Sequence, residues 1–197
     1  MIAIPFLALA VRVWGIGFGL PLTVCRPDEN LVVQPALEYF GGDFDPRFYA
    51  YGTLGSYLLH GWMRVQWMIE LLSGKSADTR AFVESALVDP GHWHLVARWI
   101  SATFGVVTVG LVCAIASSLR GRVAGLCSAF LLAFCFLHGR ESHFGTLDVL
   151  ATTLTTAAVL CALRAQDDGR WRSLLLAAAC VGFAAATKYG GALAAVS

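Results

Sequence analysis

The sequence predicts an all-α, multi-pass transmembrane bundle of about five spans, with interfacial helices in its first outer loop. Three observations predict it. The chain is 57% hydrophobic and only 14% charged, whereas a soluble domain needs roughly a quarter of its residues charged to cover a wet surface. Five apolar stretches recur, at residues 2–22, 96–119, 123–137, 149–163 and 173–196. The short connections between them concentrate arginine on alternate sides. A net charge of +1 provides no basic face, which excludes a nucleic-acid partner.

The first stretch is too long and too rich in glycine for a cleaved signal peptide, and no A-x-A site precedes Arg26, so it reads as a retained span. It, the second and the fifth reach the roughly 20 residues that cross a hydrocarbon core. The third and fourth are shorter, at roughly 22 Å of helix against a core of about 30 Å. Either the bilayer thins there or the polar loop between them dips into a protein cavity, the one place where irregular backbone is tolerated at that depth. Arg120 and Arg122 mark one connection and Arg164, Arg170 and Arg172 another, which sets both on the cytoplasmic side. The N-terminus is then inside, and residues 26–95 and 138–148 are outside. Within the outer loop 26–95, residues 57–71 repeat at helical spacing with a polar stripe of Ser56, His60, Arg64 and Glu70. This reads as a helix lying in the interface with one wet edge, since those charges are costly at mid-bilayer. Residues 73–89 form a hydrophilic connection with room for a further short helix. The six cysteines form no CxxC pair and, Cys25 apart, sit in apolar runs as packing residues. The chain is still apolar as it reaches Ser197, which reads as a piece of a longer protein.

Candidate chemistry lies on the outer side. Arg26-Pro27-Asp28-Glu29 follows the first span, and Pro27 turns Arg26 away from helix, so the carboxylates open a new element. Adjacent on a helix, Asp28 and Glu29 point about 100° apart and do not share a proton. The plainer reading of Asp28 is an acidic residue in a first helical turn. His138 and His143 flank the second outer loop, which ends at Asp148 with Thr146 competing for the cap; the plainer reading of both histidines is interfacial hydrogen bonding. Arg12, Arg98 and Lys188 lie in or near spans, where a charge is a functional hypothesis by default. Arg12 reads best as a buried ion-pair partner. Arg98 and Lys188 sit within reach of a lipid phosphate at the outer leaflet, although Lys188 can also snorkel. His92 and His94 make an incomplete metal site and read as interfacial.

These residues carry a resemblance. Arg26-Pro27-Asp28-Glu29 resembles the Asp-Glu motif in the first outer loop of the GT-C superfamily of membrane glycosyltransferases, nearest to the dolichyl-phosphate-mannose protein mannosyltransferase-like branch of bacterial membrane proteins. In order come Arg12-Val13-Trp14-Gly15, the run from Tyr49 to Leu58, Arg98-Trp99-Ile100-Ser101-Ala102, the run from Ser142 to Asp148, and Thr187-Lys188-Tyr189. Together they span nearly the whole chain as the N-terminal part of such a protein. The resemblance implies a cell membrane location, bacterial inner membrane in that branch, and a polyprenyl- or dolichyl-phosphate sugar donor entering from the lipid. It implies no obligatory cofactor, with a divalent metal as an open possibility. Asp28 falls on the family's catalytic carboxylate and Asp148 on the acidic position of the second outer loop.

The chemistry agrees with that assignment. Transfer from a lipid phosphate has a good leaving group, so the enzyme needs a carboxylate to take the acceptor's proton and cations to hold the departing phosphate. The expectation is Asp28 as base, Glu29 and Asp148 positioning acceptor or metal, and Arg98, His143 and Lys188 contacting substrate, with inversion at the anomeric carbon. Two other classes compete. A transporter predicts interrupted helices with polar residues at the midplane. A non-catalytic membrane scaffold predicts Asp28 and Asp148 far apart.

Overall fold

Eleven residues of helix open the chain: α1 runs Ala3–Val13 and stops where Gly15 and Gly19 take φ of 76° and 80°. The fold is that of a computed structural model that describes residues 3–195. A 2–22 span was expected; Ile2 lies outside the described residues, and beyond Val13 the chain advances by successive turns (Ile16 N–H to Val13 C=O, Phe18 to Gly15, Leu20 to Gly17) rather than as one helix. Positive φ at Gly15 and again at Gly19 is what breaks the run, because a left-handed residue cannot continue a right-handed helical ladder.

After a 3-10 turn at Pro27–Glu29, α2 covers Asn30–Glu38. Segment 39–53 loops out to α3, Leu54–Leu72, and α4 follows at Thr79–Val88, capped by Asp78 accepting from Ala81 N–H at 2.8 Å. These outer helices share a core of Val32, Val33, Ala36, Leu59, Met63, Phe82, Ala86 and Trp93 with the start of α5. The expected wet edge of α3 is reversed. Ser56 and His60 are buried, whereas Trp62, Val65, Met68, Ile69 and Leu72 are exposed. The reason is local satisfaction: His60 Nδ1 reaches Ala36 C=O at 2.8 Å and its Nε2 accepts from Arg64 Nε at 3.2 Å. With burial as the main cause, the His60 imidazole is held below its usual 6.5, consistent with a neutral ring that donates once and accepts once.

The longest helical stretch, α5 (Pro90–Ala133), is interrupted at Gly121, φ 82° and ψ 173°, between Arg120 and Arg122. A Cβ at Gly125 would collide with Ser117 Oγ and the Cys113 carbonyl, so the two limbs fold back on each other. A short α6 (Phe136–Glu141) leads to α7, Leu147–Asp168, and then α8, Trp171–Thr187. Here α7 takes in Arg164 and exceeds its apolar run: its 22 residues reach about 33 Å. The fifth stretch behaves oppositely. Helix α8 ends at Thr187, Lys188 is extended, and a 3-10 segment covers Tyr189–Ala195; Val196 lies outside the described residues.

Helix α7 packs between α5 and α8, and α1 lies on α5. Thr108 and Thr153 hydroxyls meet at 2.7 Å across α5 and α7, a polar contact typical of helices packed in lipid. Two helices, α5 and α7, are long and apolar enough to cross a membrane, and only 28% and 39% of their most apolar windows are buried. Helices at the centre of a soluble core would hide most of that surface. No strand occurs among the described residues.

A candidate catalytic cleft at the ends of three elements

The cleft begins with the two adjacent carboxylates. Glu29 is fully buried and takes Arg98 Nε on Oε1 at 2.8 Å and Arg98 Nη2 on Oε2 at 2.7 Å. Glu29 Oε1 also accepts Gly145 N–H at 2.7 Å. Arg98, 2% exposed, gives its remaining nitrogen, Nη1, to the carbonyls of Ile16 and Phe18 at 2.8 and 2.7 Å. One buried ion pair thus fastens the turn region after α1, the start of α2, α5 and the loop that carries Gly145. The sequence reading put Glu29 on acceptor or metal and Arg98 on phosphate; the geometry commits each to the other. Phe144 reinforces the fastening, with Arg26 and Arg98 guanidinium carbons 4.4 and 5.5 Å from its ring centre. Gly145 must be glycine, since a Cβ there would sit 2.6 Å from Ala97 Cβ.

This arrangement turns Asp28 outward. Its carboxylate is exposed, has no hydrogen-bond partner among the described residues, and lines a small cleft with Leu31, Tyr51, Thr146, Asp148 and Lys188. Asp148 stands in the first turn of α7 and Lys188 just past the end of α8, and they pair at 2.5 Å with side chains 46% and 40% exposed. Lys188 Nζ also lies 5.6 Å from the Tyr51 ring centre, within cation–π range. Thr146 Oγ1 is buried with no partner. Asp28, Asp148 and Lys188 therefore share one cleft, while Glu29, Arg98 and His143 are not among its lining residues. His143 Nδ1 and Nε2 sit 2.8 and 2.9 Å from the Gly139 and Trp14 carbonyls.

Sequence reading quoted Tyr51, Gly52 and Gly55 within the run from Tyr49 to Leu58 but gave them no role. A Cβ at Gly52 would overlap the Ala186 carbonyl, and one at Gly55 would overlap Leu147. Their spacing of three is the signal: both glycines let segment 49–55 seat against α7 and the end of α8. Tyr189 Oη completes the contact by donating to the Tyr49 carbonyl at 2.8 Å.

Two further expectations change. Arg12 has no carboxylate partner among the described residues. Its Nη1 donates to the Ala8 and Ala133 carbonyls at 2.9 and 3.3 Å, and its Nη2 to His138 Nδ1 at 2.8 Å. A cation at the C-terminal end of α5 is favoured by the helix dipole, which replaces the expected counter-ion. The second change is His94, expected at the interface but buried, with Nδ1 2.6 Å from the Pro90 carbonyl and Nε2 2.9 Å from Asn30 Oδ1. Among the described residues no group of three His, Cys, Asp or Glu is placed to hold a metal ion.

An all-helical bundle, with two helices long and apolar enough for a bilayer and a cleft of polar side chains where α2, α7 and α8 meet, defines a membrane-type helical protein with a polar site at one end. Residues 86–197, more than half of the chain, match the family described as dolichyl-phosphate-mannose-protein mannosyltransferase, and the chain belongs to that family. The family is of glycosyltransferase, mannosyltransferase-like type. No curated protein and no solved structure matched the chain.

Proposed function

We propose that this chain carries the catalytic cleft of a membrane glycosyltransferase that moves a sugar from a polyprenyl- or dolichyl-phosphate donor to an acceptor hydroxyl on the non-cytoplasmic side. The observation behind it is the cleft in which an unpartnered Asp28 faces the Asp148–Lys188 pair. Asp28 takes the proton of the acceptor hydroxyl while that oxygen bonds to the anomeric carbon. The bond from that carbon to the phosphate oxygen breaks, and its electrons leave with the lipid phosphate. Attack from the face opposite the phosphate inverts the centre. Lys188, half exposed and oriented by Asp148, meets the charge that develops on the phosphate. Arg98 and Glu29 act as positioning residues, holding both outer loops in register around Asp28.

The membrane arrangement that goes with this reading has five spans: α1 with the turns that follow it, the two limbs of α5, α7 and α8, in a bilayer that thins around the shorter ones. Arg120, Arg122, Arg164, Arg170 and Arg172 lie on the cytoplasmic side, and the cleft opens on the other. The outward apolar face of α3 supports a helix resting on the outer interface, its buried polar stripe turned to the protein. An impermeant thiol reagent applied from outside should label Lys75→Cys and leave Gly169→Cys unlabelled, both positions being exposed; the reverse pattern would overturn the sidedness.

The functional test is Asp28→Asn in the full-length protein. Asn keeps the shape but takes no proton, and loss of a general base costs about 10²–10⁴ in rate. Transfer from a polyprenyl-phosphate sugar, assayed in membranes, should fall by that factor with expression and insertion unchanged. Asn caps a helix about as well as Asp, so a merely structural Asp28 predicts activity within a few-fold of wild type, and that result would remove it as the base.

A further inference from the structure

A second groove runs beside the cleft and shares Leu31, Tyr51 and Leu147 with it. Its floor is α2 and its rim is segment 46–53. Gln34 and Glu38, both exposed, present an amide and a carboxylate hydrogen-bonded to each other at 2.9 Å. Phe48 and Tyr51 present two rings, 42% and 38% exposed, with centres 6.0 Å apart and planes tilted by 52°. The charged groups on the groove's lining are one carboxylate, Glu38, and one guanidinium, Arg47, which is exposed and pairs with Asp43 at 3.1 Å.

We infer that this groove is the acceptor subsite and that the acceptor is an uncharged carbohydrate; the inference rests on the glycosyltransferase reading with Asp28 as base. A sugar ring carries hydroxyls that both donate and accept, and a C–H face that is apolar. Gln34 and Glu38 supply both polarities, and an exposed aromatic ring supplies a flat apolar partner. A phosphorylated or acidic acceptor calls for a cluster of arginines in a fork geometry; the groove has one, Arg47, and sets the Glu38 carboxylate on the same lining. A peptide acceptor is captured by a strand edge or by an apolar trough that seats a helix. No strand occurs among the described residues, and Asn30, Gln34, Glu38, Arg47, Thr53 and Ser56 interrupt the groove's otherwise apolar lining. Tyr51 is the wall between groove and cleft. A glycan laid on Phe48 and Tyr51 leads past Leu31 to Asp28, with one hydroxyl at the base and the rest of the ring outside the cleft.

The test uses the full-length protein in nanodiscs and two readouts. The first is binding to an array of neutral oligosaccharides, for wild type, Phe48→Ala, Gln34→Ala and Asp28→Asn. The second is transfer from a polyprenyl-phosphate mannose donor to octyl α-mannoside or to a serine- and threonine-containing hexapeptide. Wild type and Asp28→Asn should bind the same neutral glycans, with Phe48→Ala and Gln34→Ala weakened about tenfold or more, a loss of roughly 1.4 kcal/mol. Both groove variants should raise the acceptor KM by that factor with kcat within about twofold. Binding to no glycan above the level of the two groove variants, or transfer to the hexapeptide in preference to the mannoside, overturns the acceptor inference and leaves Asp28 as base standing. Full transfer by Asp28→Asn with groove-dependent glycan binding does the opposite, removing the base and keeping the groove.

Discussion

The Glu29–Arg98 pair and the Asp148–Lys188 pair both attach to the 145–148 segment, yet they are built for different work. In the first, side chains are 0% and 2% exposed, and Arg98's Nε, Nη1 and Nη2 all have protein acceptors. In the second they are 46% and 40% exposed, with a single hydrogen bond between them. A desolvated pair in which both carboxylate oxygens and all three guanidinium nitrogens have partners cannot exchange them cheaply, because separating it strands a charge away from water. A half-wet pair exchanges readily, since water or an anion can stand in for either member. The lesson is that charge near a site does not identify the charge that acts on substrate; the exposed pair is the one free to do so, and the buried pair sets where it stands.

The largest expected effect breaks the buried side of the comparison. Glu29→Gln leaves Arg98 charged and short of a counter-ion, and breaking a buried pair this way costs about 3–5 kcal/mol. Thermal unfolding of the full-length protein in detergent should show a large drop in midpoint or in folded yield. Stability close to wild type would mean the pair is not the fastening described.

A middle effect separates the other buried arginine from Arg98. His138 is pushed down to about 4, by burial first and by the Arg12 guanidinium second, from the usual 6.5. Between those values the unfolded chain binds the proton and the folded chain does not, so stability present above about 6.5 is lost as pH falls toward 4. The unfolding midpoint should decline from pH 7 to pH 5, and His138→Gln should flatten that decline. A slope unchanged by the substitution would assign the acid sensitivity elsewhere.

The smallest stability effect belongs to the open pair. Lys188→Met should change unfolding by no more than about 1 kcal/mol while lowering sugar transfer by tenfold or more. A large loss of stability with little loss of transfer would make Lys188 a structural residue and collapse the contrast.

How much of this was readable beforehand differs by element. Helical class, the reversal between Arg120 and Arg122, and a helix at 57–71 follow from apolar periodicity and arginine placement, which are local signals. That Asp28 and Asp148 face one cavity was expected from the short apolar stretches flanking residues 138–148 together with the family resemblance, whereas Lys188 was assigned only to a lipid phosphate. The different fates of Asp28 and Glu29 were not legible, because adjacent carboxylates have the same local chemistry and only a partner 69 positions away, Arg98, tells them apart. The inward polar stripe of α3 was misread for a similar reason: Ala36 C=O, which holds His60, lies 24 positions upstream. The break in the first apolar stretch did carry a signal, in Gly15, Gly17 and Gly19, outweighed in the reading by the length of the run.

The meeting of Asp28 with Lys188 also has a consequence for biosynthesis. The two are 188 − 28 = 160 positions apart in the chain, and a ribosome adding roughly 5–20 residues per second takes roughly ten to thirty seconds to cover that distance. For that interval the first outer segment is already in place while the lysine that faces it has not been made. The cleft closes only when α8 has been inserted and its end has docked on Gly52. A nascent chain stalled before that point holds its carboxylates in an unfinished pocket, and the site is among the last parts of this region to become competent.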